Sequence, residues 1–197
     1  RTILVKKGVN VLNWLDKLER KFGRYAIPNL TVYLLAGYVI GFAVYYLAPN
    51  LLRYLTLEPY YILHGQIWRL VTFLMYPPSS DFLFIVFSLY LYYMIGRQLE
   101  YQWGAFRFNV YFFVGVIGHI LAAFIAYFAL GLTGITFPMT TYYLNLSLFM
   151  AFAAQYPDME FLLFFIIPVK AKWLGMLDGV LFAWDIFRSV KNGILIS

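Results

Sequence analysis

Residues Gly65–Gly104 read GQIWRLVTFLMYPPSSDFLFIVFSLYLYYMIGRQLEYQWG. This stretch opens on an aromatic–cation pair, Trp68-Arg69, in a loop that is rich in Tyr and Pro. A long apolar run follows, and then a short polar segment between two glycines. An apolar run of this kind between polar loops is typical of a helix that crosses a membrane. The stretch therefore predicts a span that is preceded by an aromatic loop.

The polar segment at the end of the run has a G-x-x-x-E-x-x-x-G spacing, formed by Gly96, Glu100 and Gly104. On a continuous helix these positions lie about one turn apart on neighbouring faces. The glycines would allow close backbone approach, and the carboxylate could reach donors on an adjacent loop. The spacing predicts a tertiary junction near Trp68 and Arg69, with a plain helix end carrying ordinary polar flanks as the alternative.

The composition of the whole chain determines its broad class. Of the 197 residues 63% are hydrophobic and 12% are charged, and the mean hydropathy is +0.74. A soluble domain of this size cannot bury so much apolar surface, so most of it is expected to face lipid. The absence of cysteine excludes disulfides, thiolate catalysis and Cys-ligated metals. The chain is predicted to be an all-α, polytopic helical bundle in a membrane.

The first 28 residues are the most polar part of the chain. Val11, Leu15, Leu18 and Phe22 recur at helical spacing with charged residues between them. This pattern predicts a cytoplasmic amphipathic segment, 1–28, whose cations lie near anionic headgroups of membrane lipids. A soluble cytoplasmic stub is the alternative. The membrane domain is then expected over residues 29–197.

Five membrane spans are predicted, at about 30–48, 81–96, 105–130, 139–156 and 173–187. The second, fourth and fifth are short, at roughly 15–18 residues against the ~20 that a bilayer core requires. Asn50–Ser80 is too long for a tight turn and too apolar for a solvated loop, so it is expected to lie half-immersed at the interface as short helices. With the N-terminus inside, the inner segments carry eleven Lys and Arg and the outer segments four. This bias favours a cytoplasmic N-terminus.

The order of these motifs resembles the rhomboid superfamily. The resemblance rests on Trp68-Arg69 in a long first loop, on the Gly96-Arg97-x-Leu99-Glu100 span end with Gly104 after it, and on Pro168–Trp173. It covers about residues 30–185 and implies a compact bundle of six core spans, so a sixth span is expected beyond residue 197. The superfamily contains intramembrane serine proteases and inactive relatives such as the derlins. Pro168–Trp173 resembles bacterial rhomboid-type sequences, which favours a bacterial cytoplasmic membrane, with the endoplasmic reticulum as the alternative.

The residues that the resemblance requires for proteolysis are not found. Active rhomboids carry a Gly-x-Ser-Gly turn at the head of the fourth span, whereas this chain has no glycine between Gly134 and Gly175, and Thr141 or Tyr142 takes the serine position. Active relatives also carry His-x-x-x-Asn in the second span, where this chain has Phe84 and Ser88. The glycines matter because backbone must approach closely to form an oxyanion site. The chain is therefore interpreted as a pseudoprotease without catalytic residues.

Among the ionisable residues within the predicted spans, His119, Asp178 and Asp185 are candidates for an intramembrane polar site. The two aspartates are seven residues apart and share a helix face, so a proton or ion path is one interpretation and ordinary bundle hydrogen bonding is the other. Ser147 is the only serine of the fourth span and is interpreted as a packing residue. Two histidines and no cysteine make a metal site unexpected, and no cofactor is indicated.

The sequence thus predicts a non-enzymatic protein that holds transmembrane helices of client proteins in a lateral groove, for quality control, trafficking or translocation. A transporter or channel using Asp178 and Asp185 is the alternative, and an unusual rhomboid-type protease is a third. Nucleic-acid binding is not expected, because the aromatic residues lie in apolar runs rather than in basic stacking platforms. The clients and the oligomeric state are not encoded in any recognisable motif.

Overall fold

The computed structural model describes residues 9–129, 139–163, 167–173, 175–177, 180 and 184. The chain divides into two compact units, Arg1–Leu144 and Asn145–Ser197. The first unit contains the amphipathic segment, the long loop and the longest apolar helices. Each unit is described by itself below.

The first helix is amphipathic, and ion pairs connect it to Arg107. Helix α1 spans Val9–Phe22 and continues into a 3-10 turn at Gly23–Tyr25. Arg107 donates to Asp16 at 2.7 Å and to Glu19 at 3.0 Å. All three side chains are about one-third exposed. Pairs this exposed to solvent contribute little to stability, so they orient α1 more than they stabilise the fold.

Helix α2, Leu30–Leu47, is the first of the long apolar helices. It follows Asn29, whose φ of 56° is the left-handed conformation that Asn tolerates better than most residues. Its Gly41 is required for close approach, because a Cβ there would lie 1.8 Å from the carbonyl oxygen of Met75. Position 41 is thus where the long loop packs against the helix.

The loop after α2 folds as short helices, as the sequence predicted. These are α3 (Pro49–Leu52), α4 (Pro59–Leu63) and α5 (Arg69–Thr72), followed by a 3-10 turn at Phe73–Met75. Pro occupies the first turn of both α3 and α4, where its missing N–H has no intrahelical acceptor. Leu57 and Phe73 are fully buried, so the loop contributes side chains to the core of the first unit.

Helices α6 (Phe82–Trp103) and α7 (Ala105–Ala129) follow with only Gly104 between them. The carboxylate of Asp81 caps α6 by accepting from the N–H groups of Leu83 and Phe84. Gly104 ends the helix at a φ of 81°. The predicted end near Gly96 was therefore wrong: α6 has 22 residues, about 33 Å, and is long enough to cross a bilayer.

Among the described residues, three helices are long and apolar enough to cross a membrane, namely α2, α6 and α7. In each, 22% of the apolar window is buried inside the protein, so most of its surface is left for lipid. The described residues therefore support an all-α membrane protein with three candidate spans rather than five.

The fourth predicted span forms helix α8, Tyr142–Gln155, which has 14 residues, or about 21 Å. The fifth, about 173–187, lies mostly outside the described residues. In the second unit a small antiparallel hairpin pairs β1 (Glu160–Leu163) with β2 (Ile167–Lys170), an element that the sequence did not predict. Asp158 beside it pairs with Lys172 at 3.0 Å and with Lys170 at 3.6 Å. The hydrogen bond from Lys172, with the charge of Lys170, holds the pKa of this carboxyl below its ordinary value.

Candidate functional site

Arg69 is the centre of the long loop. Its side chain is only 2% exposed. Nη1 donates to the carbonyl oxygens of Arg53 at 2.8 Å and Thr56 at 2.9 Å, and Nε donates to Oε1 of Gln66 at 2.7 Å. These bonds connect Arg69 to two parts of the loop, residues 53–56 and Gln66, so one guanidinium fixes the path of the chain around it.

Glu58 is the counter-ion of the buried Arg69. Its Oε2 lies 3.6 Å from Nη1 of Arg69. Burial raises the pKa of the Glu58 carboxyl above its ordinary value, and the positive charge of Arg69 opposes that rise. The guanidinium also lies 4.8 Å from the ring centre of Tyr61 and 5.7 Å from that of Tyr54. Cation–π contacts of this kind stabilise a desolvated cation.

These side chains line a pocket of about 400 Å³. The lining residues are polar or aromatic: Arg53, Tyr54, Glu58, Tyr61, Gln66 and Arg69. We call this group the loop cluster. Trp68, the other half of the predicted aromatic–cation pair, is 49% exposed.

The second centre lies where α6 meets the start of α2, and we call it the helix junction. Gly96 allows this contact, because a Cβ there would lie 2.3 Å from Oγ1 and 2.6 Å from Cγ2 of Thr31. One turn later the buried Glu100 accepts a hydrogen bond from the N–H of Asn29 at 2.6 Å through Oε1. Arg97 donates to Oδ1 of Asn29. The carboxylate therefore caps the helix that follows Asn29 from a neighbouring helix.

Two expectations about this junction concern its partners. No described hydrogen bond or ion pair joins Arg69 to it, because the described polar partners of Arg69 all lie between residues 53 and 66; packing of Trp68 or Arg69 near the junction stays a prediction. Neither Arg97 nor Arg107 is the described partner of Glu100, since Arg97 bonds Asn29 and Arg107 bonds α1. The donor to Glu100 is a backbone N–H, which the predicted set of partners also included.

Two oxygen atoms of the helix junction are buried without a hydrogen-bond partner among the described residues. They are Oε2 of Glu100 and Oγ1 of Thr31. Gly104, the last member of the predicted spacing, does not pack closely: a Cβ there would meet nothing within 4 Å. Its part is conformational, since its positive φ ends α6.

The positions at which the rhomboid resemblance predicts replaced catalytic residues lie in α6 and at the start of α8. Phe84 is 51% exposed in the first turn of α6, and Ser88 follows one turn later with a half-buried side chain. Thr141 is 2% exposed, and its hydroxyl donates to the carbonyl oxygen of Tyr76 at 3.3 Å. Tyr142, the first residue of α8, is 53% exposed.

His119 lies buried on α7 between rings. It stacks on Phe73 at a centroid distance of 5.5 Å and lies 6.2 Å from the ring of Tyr143. A backbone group of Thr140 hydrogen-bonds to it, and its Nε2 has no described partner. Asp178 and Asp185 lie outside the described residues. Within the described part of the chain, no three His or acidic residues are close enough together to bind a metal ion.

Sequence reasoning missed Glu58 and the pocket. Thr56 and Gln66 were missed with it, because their contribution comes from loop geometry rather than from any pattern. Glu58 carried a usable signal, since it is the only carboxylate between Asn50 and Ser80, a loop that contains two arginines. A lone carboxylate among apolar residues in such a loop points to a buried ion pair.

The long apolar helices place this chain among the helical integral membrane proteins. A family described as eukaryotic integral membrane protein (DUF1751) matches residues 29–194, and the chain belongs to that family. Comparison with curated proteins and with solved structures finds no match. The family description is eukaryotic, so it gives no support to the bacterial membrane that Pro168–Trp173 suggested.

Proposed function

We propose that this protein is a non-proteolytic, rhomboid-like membrane protein that binds transmembrane helices of client proteins. Its task would be their quality control, trafficking or translocation, and the eukaryotic family favours the endoplasmic reticulum among the locations considered. The proposal includes the finer architecture that the resemblance implies, a bundle of six core spans with the N-terminus in the cytoplasm.

The observation that carries the non-proteolytic part is the setting of Thr141. A nucleophile must be exposed to substrate and hydrogen-bonded to a general base. The Thr141 side chain is instead 2% exposed, and its hydroxyl donates to a backbone carbonyl. Phe84, at the position of the oxyanion histidine, has no side-chain donor to offer.

The client-binding part is supported by the surface around Phe84. This residue lies in the first turn of α6 together with Phe82 and Leu83, and all three are exposed. In a protease of this superfamily the corresponding face would lie beside the scissile bond. Here it is apolar, which suits a helix that is held without being cut.

The proposal is tested by labelling and by crosslinking in native membranes. Purified protein is expected neither to cleave a transmembrane helix nor to label with a serine-directed fluorophosphonate. Labelling that disappears in Ser147→Ala would overturn the pseudoprotease assignment. A photo-crosslinker in place of Phe84 is expected to capture transmembrane segments of other proteins, identified by mass spectrometry.

Phe128 offers a matched control for the crosslinking. It is also a phenylalanine, it is 65% exposed, and it lies near the end of α7. A crosslinker there is expected to capture mainly lipid. Equal protein capture at the two positions would mean that Phe84 marks ordinary lipid-facing surface, and client binding at this face would be refuted.

A further inference from the structure

The pocket of the loop cluster has no part in the proposed client binding. Its volume is about 400 Å³, and two arginines, two tyrosines, a glutamate and a glutamine line it. A purely structural arginine needs no cavity beside it, because buried groups normally pack against protein. The presence of a polar cavity at a buried guanidinium therefore suggests a ligand.

The guanidinium of Arg69 has donors that the protein does not use. It carries five N–H groups. Nε donates to Gln66, and Nη1 donates to the carbonyls of Arg53 and Thr56. Among the described residues Nη2 has no hydrogen-bond partner, although the side chain is 98% buried and lines the pocket. Two charge-assisted donors are thus available at the wall of the cavity.

Arg53 provides a second cation at the same pocket. Its side chain is exposed, lies 5.1 Å from the ring centre of Tyr54, and donates to the Tyr54 hydroxyl at 3.3 Å. With Glu58 ionised, the two arginines leave the lining with one net positive charge. A ligand with a single negative charge would neutralise it.

The surroundings of the pocket place that charge at a membrane surface. Leu63, Ile67, Trp68 and Val71 belong to the same loop and are all about half exposed or more. Apolar and Trp side chains on the outside of a loop that follows a candidate span are typical of the membrane interface. Phosphate groups of phospholipids lie at that depth.

We propose that the loop cluster binds a singly charged phosphodiester through Arg53 and Nη2 of Arg69. Phosphate oxygens diverge tetrahedrally, so one group can accept from two guanidiniums that approach from different segments of the loop. The ligand is the headgroup of a membrane phospholipid or a soluble phosphodiester of the same chemistry.

The test uses Arg53→Gln, which removes one cation and leaves the backbone carbonyl that holds Arg69. Arg24→Gln is the matched control, because Arg24 also lies over the ring of the next residue, Tyr25, and donates to its hydroxyl. The full chain is purified in non-ionic, phosphate-free detergent and titrated with phosphatidylglycerol, and bound lipid is measured by native mass spectrometry. Arg53→Gln is expected to weaken binding about fivefold to tenfold and Arg24→Gln less than about twofold.

Two further arms identify the ligand chemistry. Diacylglycerol with the same acyl chains lacks the phosphate, so its binding should be equal in wild type and Arg53→Gln. Glycerophosphoglycerol carries the headgroup without the chains. If glycerophosphoglycerol displaces the lipid at equal concentration, the natural ligand is a soluble phosphodiester. If it does not, the natural ligand is the phospholipid. Equal affinity of Arg53→Gln and Arg24→Gln for phosphatidylglycerol would overturn the proposal. So would a loss of diacylglycerol affinity in Arg53→Gln as large as its loss of phosphatidylglycerol affinity.

Discussion

The loop cluster and the helix junction each bury one charged residue that the sequence singled out, but they stabilise it in different ways. Arg69 is surrounded by a counter-ion, two backbone carbonyls and two aromatic rings. Glu100 has a single described hydrogen bond, and one of its oxygens has none. The loop thus depends on polar contacts around its arginine, whereas the junction depends on the close approach that Gly96 allows.

The two regions also contact α2 at different depths. Gly96 meets Thr31 in the first turn of α2, whereas the end of the loop meets Gly41, ten residues further along. Ten helical residues correspond to about 15 Å. Helix α2 therefore connects two contact regions that are separated along its axis, and a change in one is expected to leave the other intact.

The largest effect is expected from Arg69→Gln. This change leaves Glu58 buried without its cation and removes the donor to two carbonyls, which should lower the free energy of unfolding by about 3–5 kcal/mol. Unfolding by sodium dodecyl sulfate in mixed micelles would measure it. Arg53→Gln is the control, since loss of an exposed cation costs about 0–1 kcal/mol. Equal losses in the two variants would show that Arg69 does not organise the loop.

The next effect is steric and tests the contact between the loop and α2. In Gly41→Ala the new Cβ would lie 1.8 Å from a backbone oxygen, which cannot rotate away. We expect a loss of about 1–3 kcal/mol or more. Gly118→Ala is the matched control, because a Cβ there meets nothing within 4 Å. It should be neutral or stabilising by up to about 1 kcal/mol, since Ala favours helix over Gly.

A smaller effect is expected from Glu100→Gln at the helix junction. The amide keeps an acceptor for the Asn29 N–H but loses the charge, so the cost should be about 1 kcal/mol. A lower melting temperature in detergent and reduced accumulation in membranes would follow, with client crosslinking per folded molecule unchanged. If stability is intact and crosslinking is abolished instead, Glu100 belongs to a binding site.

The smallest effect concerns the pH dependence of the loop cluster. Because burial raises the pKa of Glu58 in the folded state, the folded protein holds this proton more tightly than the unfolded chain does. The stabilisation from protonation is complete below the ordinary value of 4.5 and is lost as the pH rises through the folded pKa. The change in melting temperature from pH 7 to pH 5 should therefore be more positive in the wild type than in Glu58→Gln. Parallel profiles would contradict this.

Local chemistry made part of this structure predictable. The apolar runs located α2, α6 and α7, and Asp81 marked the start of α6 because a carboxylate there can cap two N–H groups. The end of α6 was missed for a physical reason. Arg97, Gln98 and Glu100 look like the polar exit of a helix, yet contacts with Asn29 some 70 residues away keep this segment helical and partly buried.

The candidate site was less predictable, because it depends on backbone groups. Arg69 was recognised, but its acceptors are carbonyls of Arg53 and Thr56, which every residue carries and no pattern reveals. The same holds for Thr141, whose acceptor is the carbonyl of Tyr76. Residue types thus indicated which side chains would make polar contacts. The acceptors of those contacts were determined only by the folded chain.

The independence of the two regions is the central claim, and a double-mutant cycle tests it most directly. The cycle combines Arg69→Lys, which keeps the charge but loses the forked donors, with Glu100→Gln. Free energies of unfolding of the wild type, both single variants and the double variant are measured in the same mixed micelles. We expect the two effects to add within about 0.5 kcal/mol, as for sites without shared partners. A coupling above about 1 kcal/mol would show that the loop cluster and the helix junction form one network, as the sequence alone suggested.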